Sequence, residues 1–211
     1  LLGARGLVSM SSAPAIGKQQ AKSIRAREAI CEATIGSLVD VGYAETSLNR
    51  VATAAGFSKG ALQYHYPSKE DLIAATLNRL LERPFKRAQH TPSNIEEALM
   101  VAWTRYINTP AYRALLEILN AARTDELLQA RVADDLLDWG QALDEQSLAQ
   151  YEAISGDDDE IVMLINMTRS FMRGLLVQEN YGNDRAQSLR YIKKWITLIS
   201  PLMQLREDPQ I

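Results

Sequence analysis

Apolar positions recur at helical spacing along almost the whole chain, and glycine and proline punctuate them. Ile30, Ala33, Leu38 and Val41 fall on one stripe and predict a first helix over 22–41, closed by Gly42. Leu48, Val51, Ala52 and Ala55 predict a short second helix, with Thr46 or Ser47 as its cap and Gly56 as its end. Ser58 is the next cap, for a helix of about two turns that Pro67 terminates. Ser68, followed by Lys69, Glu70 and Asp71, opens a fourth helix carrying Leu72, Ile73, Leu77, Leu80 and Leu81. Pro84 predicts a kink or break there, because proline lacks an amide donor and disfavours helical geometry at Arg83. Beyond residue 93 the periodicity predicts helices over 94–108, 111–123, 125–154, 158–180 and 184–205. No stretch alternates as a β-strand would, and no repeat recurs. The fold class is all-α.

The two short helices around Gly56 make a helix-turn-helix, whose second helix is suited to the DNA major groove. Ala52, Ala55 and Gly56 are small where the helices cross, with Phe57 and Leu62 turned inward. The outward face then carries Lys59, Gly60, Ala61, Gln63, Tyr64 and His65. Gly60 and Ala61 let the backbone approach DNA, Ala61 matches a thymine methyl, and Gln63 pairs donor and acceptor as adenine N6 and N7 require. Lys59, Tyr64, Lys69 and the hydroxyls of Thr46, Ser47 and Ser58 suit phosphates, which set position rather than base preference.

Over 46–72 the chain resembles the DNA-binding signature of the TetR family of transcriptional regulators. The pattern is carried by Thr46, Val51, Ala52, Ala55, Gly56, Phe57, Ser58, Gly60, Leu62, His65, Tyr66, Ser68, Lys69 and Leu72. It departs at Gln63, where tyrosine is common, and at Tyr66, where phenylalanine is common. The first departure bears on the operator sequence and leaves the class unchanged. The resemblance implies an arm over 1–21, an N-terminal three-helix DNA-binding domain over 22–68, a connecting helix over 69–90, and a C-terminal helical-bundle domain over 91–211 for effector binding and dimerisation. It implies a homodimer paired through the last two helices, a palindromic double-stranded DNA operator, and a small-molecule effector that releases a repressor. Residues 1–9 are set aside, Met10 being a natural start; they lack the basic flank and cleavage pattern of a secretory signal.

The resemblance also places a ligand chamber among the later helices. Trp103, Tyr106, Leu116, Leu119, Trp139, Met163, Met167 and Phe171 are its apolar candidates, with Asn120, Arg123 or Asn166 for a polar contact. That mix suggests a largely apolar or aromatic effector. Ile161, Leu164, Ile165, Phe171, Leu175, Leu176, Leu189, Ile192, Trp195, Ile196, Ile199 and Leu202 are to be divided between core and subunit interface.

Charge sharpens this division. The whole chain carries −3, but residues 1–90 hold twelve Lys and Arg against seven Asp and Glu, a balance of +5, and residues 91–211 hold eleven against nineteen, or −8. A chain so divided docks on phosphate by one end. A single cysteine, Cys31, excludes an internal disulfide and fits a reducing cytoplasm, and no run approaches 18 apolar residues. His65 and His90 are the only histidines, so no Ser/His/Asp set and no metal-ligand spacing arises. No catalytic residue, metal or cofactor is expected. Asp157, Asp158, Asp159 and Glu160 lack the glycine and spacing of a calcium loop and read as partners of a helix dipole. The alternatives are a DNA-bound protein-interaction factor without a small ligand, an activator in place of a repressor, and a helical enzyme with a vestigial DNA-binding motif.

Overall fold

The computed structural model describes residues 17–86, 91–182 and 184–207. Residues 1–16 of the expected arm, and His90, therefore lie outside the described residues. Helix α1 runs Lys18–Glu45, starting four residues before the sequence boundary, and bends at Gly42, whose φ of 74° is left-handed. A side chain at Gly42 would also meet the Glu117 carboxylate, which accepts the Tyr43 N–H at 3.2 Å. Only glycine fits both demands without strain.

Helix α2 is Leu48–Ala55 and α3 is Lys59–His65. Their ends are set locally. Ser47 Oγ accepts the Arg50 N–H and Ser58 Oγ accepts the Ala61 N–H, each meeting a donor that the first turn leaves unpaired. Gly56 turns left-handed at φ 74°, and the Phe57 N–H returns to the Ala52 carbonyl at 2.9 Å, which closes α2. Ser68 caps α4, Lys69–Lys86, by accepting the Asp71 N–H and donating to Asp71 Oδ2. Of the kink or break expected at Pro84, the break does not occur: α4 continues to Lys86.

The next predicted helix proves to be two. An α-helix, α5 (Ile95–Val101), passes into a π-helical stretch over Ala102–Ile107, in which the Asn108 N–H reaches back to Trp103 O at 2.8 Å. Helices α6 (Pro110–Ala122) and α7 (Glu126–Gln150) follow, then α8 (Asp158–Gln178) and α9 (Arg185–Ile199). Two short strands replace the helix ends expected up to residues 154 and 205. Strand β1, Tyr151–Ala153, pairs antiparallel with β2, Met203–Leu205, in the register Tyr151 to Leu205 and Ala153 to Met203.

Three apolar clusters hold these elements. Ile30, Val51, Leu62, Tyr66 and Leu72 unite α1 to α4 around the turn between the short helices. Ile35, Leu38, Ile73, Leu77, Leu115, Ile118, Leu128 and Val132 join α1 and α4 to α6 and α7. Leu99, Trp103, Ile161, Met172, Leu176, Ile192 and Ile196 form the third, around α5, α8 and α9. Helices α1 and α4 belong to the first two clusters together, so any tilt of either is felt on both sides. Cys31 is buried as a small hydrophobe, 3.6 Å from Tyr66 Oη. Among the described residues no helix is long and apolar enough to cross a membrane.

Candidate functional site

Helix α3 presents its polar face outward because one side chain anchors it. Leu62 is fully buried, while Lys59, Gly60, Ala61, Gln63 and Tyr64 are exposed and His65 is half-buried. Tyr64 stands 84% exposed with its ring edge-on to His65 at 5.2 Å. An aromatic ring so displayed adds little to the core and is available to an external partner. Ser47 and Ser58 are exposed too, and each hydroxyl accepts a backbone N–H while keeping its own proton to donate. From Ser47 to Tyr66 there is no Asp or Glu, and Arg50 and Lys59 leave the surface positive. Arg50, exposed on α2, was not among the sequence candidates.

Two candidates stand apart from this surface. Thr46 is 1% exposed; its hydroxyl donates to Gly42 O at 2.7 Å and lies 3.0 Å from Ser37 Oγ. The Lys69 ammonium donates to Tyr43 O at 2.6 Å and sits 3.9 Å over the Tyr43 ring, with burial lowering its pKa. Both side chains brace the junction between α1 and its neighbours.

A second site lies among the later helices. A cavity of about 550 Å³ is walled by α5, the π-helical stretch, α6, α7, α8 and the β-pair. Leu99, Tyr106, Tyr112, Leu115, Trp139, Leu143, Tyr151, Ile165 and Met172 supply its apolar and aromatic surface, and Leu80 of α4 reaches it as well. The π-helical stretch contributes Ala102, Arg105, Tyr106 and Ile107, and such a wide turn commonly marks a functional place in a helix. Arg169 crosses the wall from α8 to α7. It donates to Leu143 O at 3.0 Å and Ser147 Oγ at 2.8 Å, and lies 3.5 Å from Asp144 Oδ1. Burial pushes the Arg169 pKa down, Asp144 opposes that, and Arg173 one turn on reinforces it. The Arg173 Nε donates to the Tyr112 hydroxyl.

Of the eleven ligand candidates, Tyr106 and Trp139 line this cavity; Leu119 packs on the second cluster, Met163 is exposed on α8 and Phe171 lies in a shallow groove between α8 and α9, all three away from it. Trp103 is buried in the third cluster and Leu116 packs beside it. Asn120 and Arg123 are exposed at the end of α6, Asn166 is exposed and donates to Asp144, and Met167 is 49% exposed on α8. These nine are not brought to the cavity. The residues that sequence reasoning missed are mainly Tyr112, Tyr151, Arg169 and Arg173, whose spacing matches that of any partly exposed helix face. Among the described residues no group of His, Cys, Asp or Glu is placed to hold a metal ion.

An exposed, acid-free recognition helix locked by a glycine turn to a supporting helix defines a helix-turn-helix DNA-binding protein. Residues 30–76 match the profile of bacterial regulatory proteins of the tetR family. An uncharacterized HTH-type transcriptional regulator of Mycobacterium tuberculosis is 31% identical over 173 residues, covering 76% of this chain and 88% of its own length. The probable acrEF/envCD operon repressor of Escherichia coli is 26% identical over 162 residues, 70% of this chain and 74% of that protein. In fold, the crystal structure of a transcriptional regulator from Saccharomonospora viridis in complex with choline superposes with a TM-score of 0.61 at 19% identity, covering 87% of this chain and all of the other. The chain belongs to the TetR family and is a DNA-binding transcriptional regulator, not an enzyme.

Proposed function

We propose that this regulator is a homodimeric repressor that binds a palindromic operator and leaves it when a small molecule fills the cavity. The observation that carries this reading is Leu80, which sits on α4 and belongs to the cavity wall. Helix α4 follows α3 directly, and Leu80 lies about three turns, or ~16 Å, along it from Lys69. A molecule that displaces the wall at Leu80 tilts α4 and moves α3. The functional units are then the head over 22–68, the connecting helix over 69–90 and the effector and dimerisation domain over 91–211.

Within the head, Gln63 and Ala61 read base edges, Lys59 adds a base contact to its hold on phosphate, Tyr64, His65, Ser47 and Ser58 hold phosphates, and the backbone at Gly60 allows close approach. Thr46 and Lys69 act indirectly, by fixing the junction that carries the head. Trp139 and Tyr106 contact the effector. A recognition helix of seven residues reads few base pairs, so useful specificity needs two copies on two half-sites.

The surface for the second copy is a stripe on α8, α9 and the short turn of helix after α9. Met163, Met167, Val177, Tyr191, Leu198 and Leu202 are each more than two-fifths exposed. Between them a shallow groove is lined by Phe171, Gly174, Trp195 and Leu198, with Phe171 stacked on Trp195 at 4.9 Å. So much apolar surface along two paired helices suits self-association into a four-helix interface. The effector acts by binding best to the dimer whose two α3 helices are wrongly spaced for successive major grooves. Operator affinity then falls by the difference in effector affinity between the two forms and no further. The choline bound by the S. viridis protein supports the use of this fold to hold a small molecule.

Selection of duplexes from a random pool by the purified protein, followed by a salt series on the winner, tests the reading. A palindrome with a steep salt slope is expected. Weak uniform binding without enrichment would overturn it.

A further inference from the structure

We infer that the cavity takes an anionic amphipathic molecule, with an apolar or aromatic body and a carboxylate-like head held by Arg173 and Tyr112, with Arg105 in support. This rests on the reading of the cavity as an effector site. Among the described residues four arginines line it, Arg105, Arg169, Arg173 and Arg206, against one acid, Glu207. Their states differ. Arg206 is neutralised by Asp158 at 2.9 Å and donates to Tyr151 O; Arg169 is shared among Asp144, Asn166, Leu143 O and Ser147. Arg173 has only the Tyr112 hydroxyl for its Nε, and no carboxylate lies within 4.0 Å of it among the described residues. Its two terminal nitrogens are left as the planar fork that a carboxylate accepts, and Tyr112, accepting from Nε, keeps its own O–H to donate to the same oxyanion.

Arg173 follows Arg169 by one helical turn, so two like charges face each other with Asp144 paired to only one of them. An anion between the wall and the cavity relieves that repulsion. The aromatic walls alone would also suit a cation, but the fixed guanidiniums oppose one. The wall chemistry thus calls for negative charge at one end and an apolar body along Leu99, Tyr106, Trp139 and Met172.

The test uses a matched pair of fluorescent probes. 8-Anilinonaphthalene-1-sulfonate and N-phenyl-1-naphthylamine share one aromatic body and differ in the anion; ethidium serves as a cationic control. The sulfonate should bind one to one and about tenfold or more tighter than the neutral amine. Arg173→Met should erase that preference and leave the amine unchanged, and Arg173→Lys should restore part of it. Arg105→Met, at an exposed position that leaves the core intact, should weaken the sulfonate selectively if Arg173→Met fails to fold. Ala102→Trp, which fills the cavity, should abolish both probes. Equal binding of the two probes, both lost in Ala102→Trp and indifferent to Arg173→Met and Arg105→Met, would overturn the anionic head and leave the cavity reading standing. Tighter binding of ethidium than of the sulfonate would do the same. Failure of either aryl probe to bind in a way that depends on Ala102 would overturn the effector cavity and the anionic head together.

Discussion

The Tyr43 hydroxyl donates to Asp125 Oδ2 at 2.7 Å, joining the end of α1, which supports the DNA-reading surface, to the cap of α7 in the effector half. Asp125 also accepts the Leu128 N–H, and the Tyr43 amide donates to Glu117. Tyr43→Phe should lower stability by about 1 kcal/mol, read as a shift in the urea midpoint at unchanged slope. The pH dependence follows from two shifts. The Leu128 N–H and then the Tyr43 hydroxyl hold the Asp125 pKa below 3.8, so its contribution is complete above that pH and fades as pH falls through the folded value. Burial, then Asp125, raises the Tyr43 pKa above 10.0, so its contribution is complete below that pH and fades at strongly alkaline pH. Tyr43→Phe should shrink both the alkaline and the acid dependence, with Tyr66 and Tyr151, whose pKa burial also raises, keeping part of the alkaline one; unchanged curves at both ends would show that the contact carries no stability.

Thr46 and Ser47, adjacent in sequence, should differ in what loss of the hydroxyl affects. Thr46→Val leaves Gly42 O and Ser37 Oγ short of a buried partner and should cost about 1–3 kcal/mol in thermal or urea unfolding. Ser47→Ala removes an exposed cap worth about 1 kcal/mol and one phosphate donor, so DNA affinity should fall for all duplexes alike. Operator binding by folded Thr46→Val at the wild-type level would confirm that its role is internal; a loss confined to phosphate contacts would reverse that.

Much of this was legible in the sequence because it is decided within a few residues. Ser47, Gly56 and Ser58 set the ends of α2 and α3 by bonds three to five residues long. The features that escaped depend on distant partners or on ambiguous spacing. Which of Thr46 and Ser47 turns inward is settled by Ser37, nine residues back. Trp103 and Ile107 suit an α-helix as well as the wider turn that they occupy. Strands of three residues are too short to show alternation. Asn120 and Arg123 sit at the end of an apolar helix but face solvent, while the cavity draws on Arg169 and Arg173, which read as a solvated face.

Gln63 and Lys59 should separate specificity from affinity. Gln63→Ala should relax base preference at one position per half-site by about 1–3 kcal/mol, measured on a panel of single-substitution duplexes. Lys59→Ala should weaken every duplex and reduce the salt slope by about one for each bound copy. Lys69→Ala should instead lower stability and leave the slope in place, since its ammonium is committed to Tyr43 O. A reduced slope with Lys69→Ala would return that residue to the phosphate surface.

The stripe on α8 and α9 makes its own prediction, because its residues add little to the fold of one copy. Ile161, Leu164, Ile165, Met172, Leu175, Leu176, Ile192, Ile196 and Ile199 are buried within the chain, and they account for the apolar core share of the two helices. Met167 and Leu198, at 49% and 56% exposure, are left outside it. Surface changes of this kind alter stability by about 0.5 kcal/mol or less, so Met167→Asp and Leu198→Asp should fold normally. Two buried carboxylates per copy would nevertheless be intolerable in an apolar interface. Sedimentation should therefore show a dimer for the wild type and a monomer for the double variant, with operator affinity lost at concentrations where each half-site alone is weak. A double variant that sediments as a dimer would place the interface elsewhere, and with it the spacing of the two α3 helices.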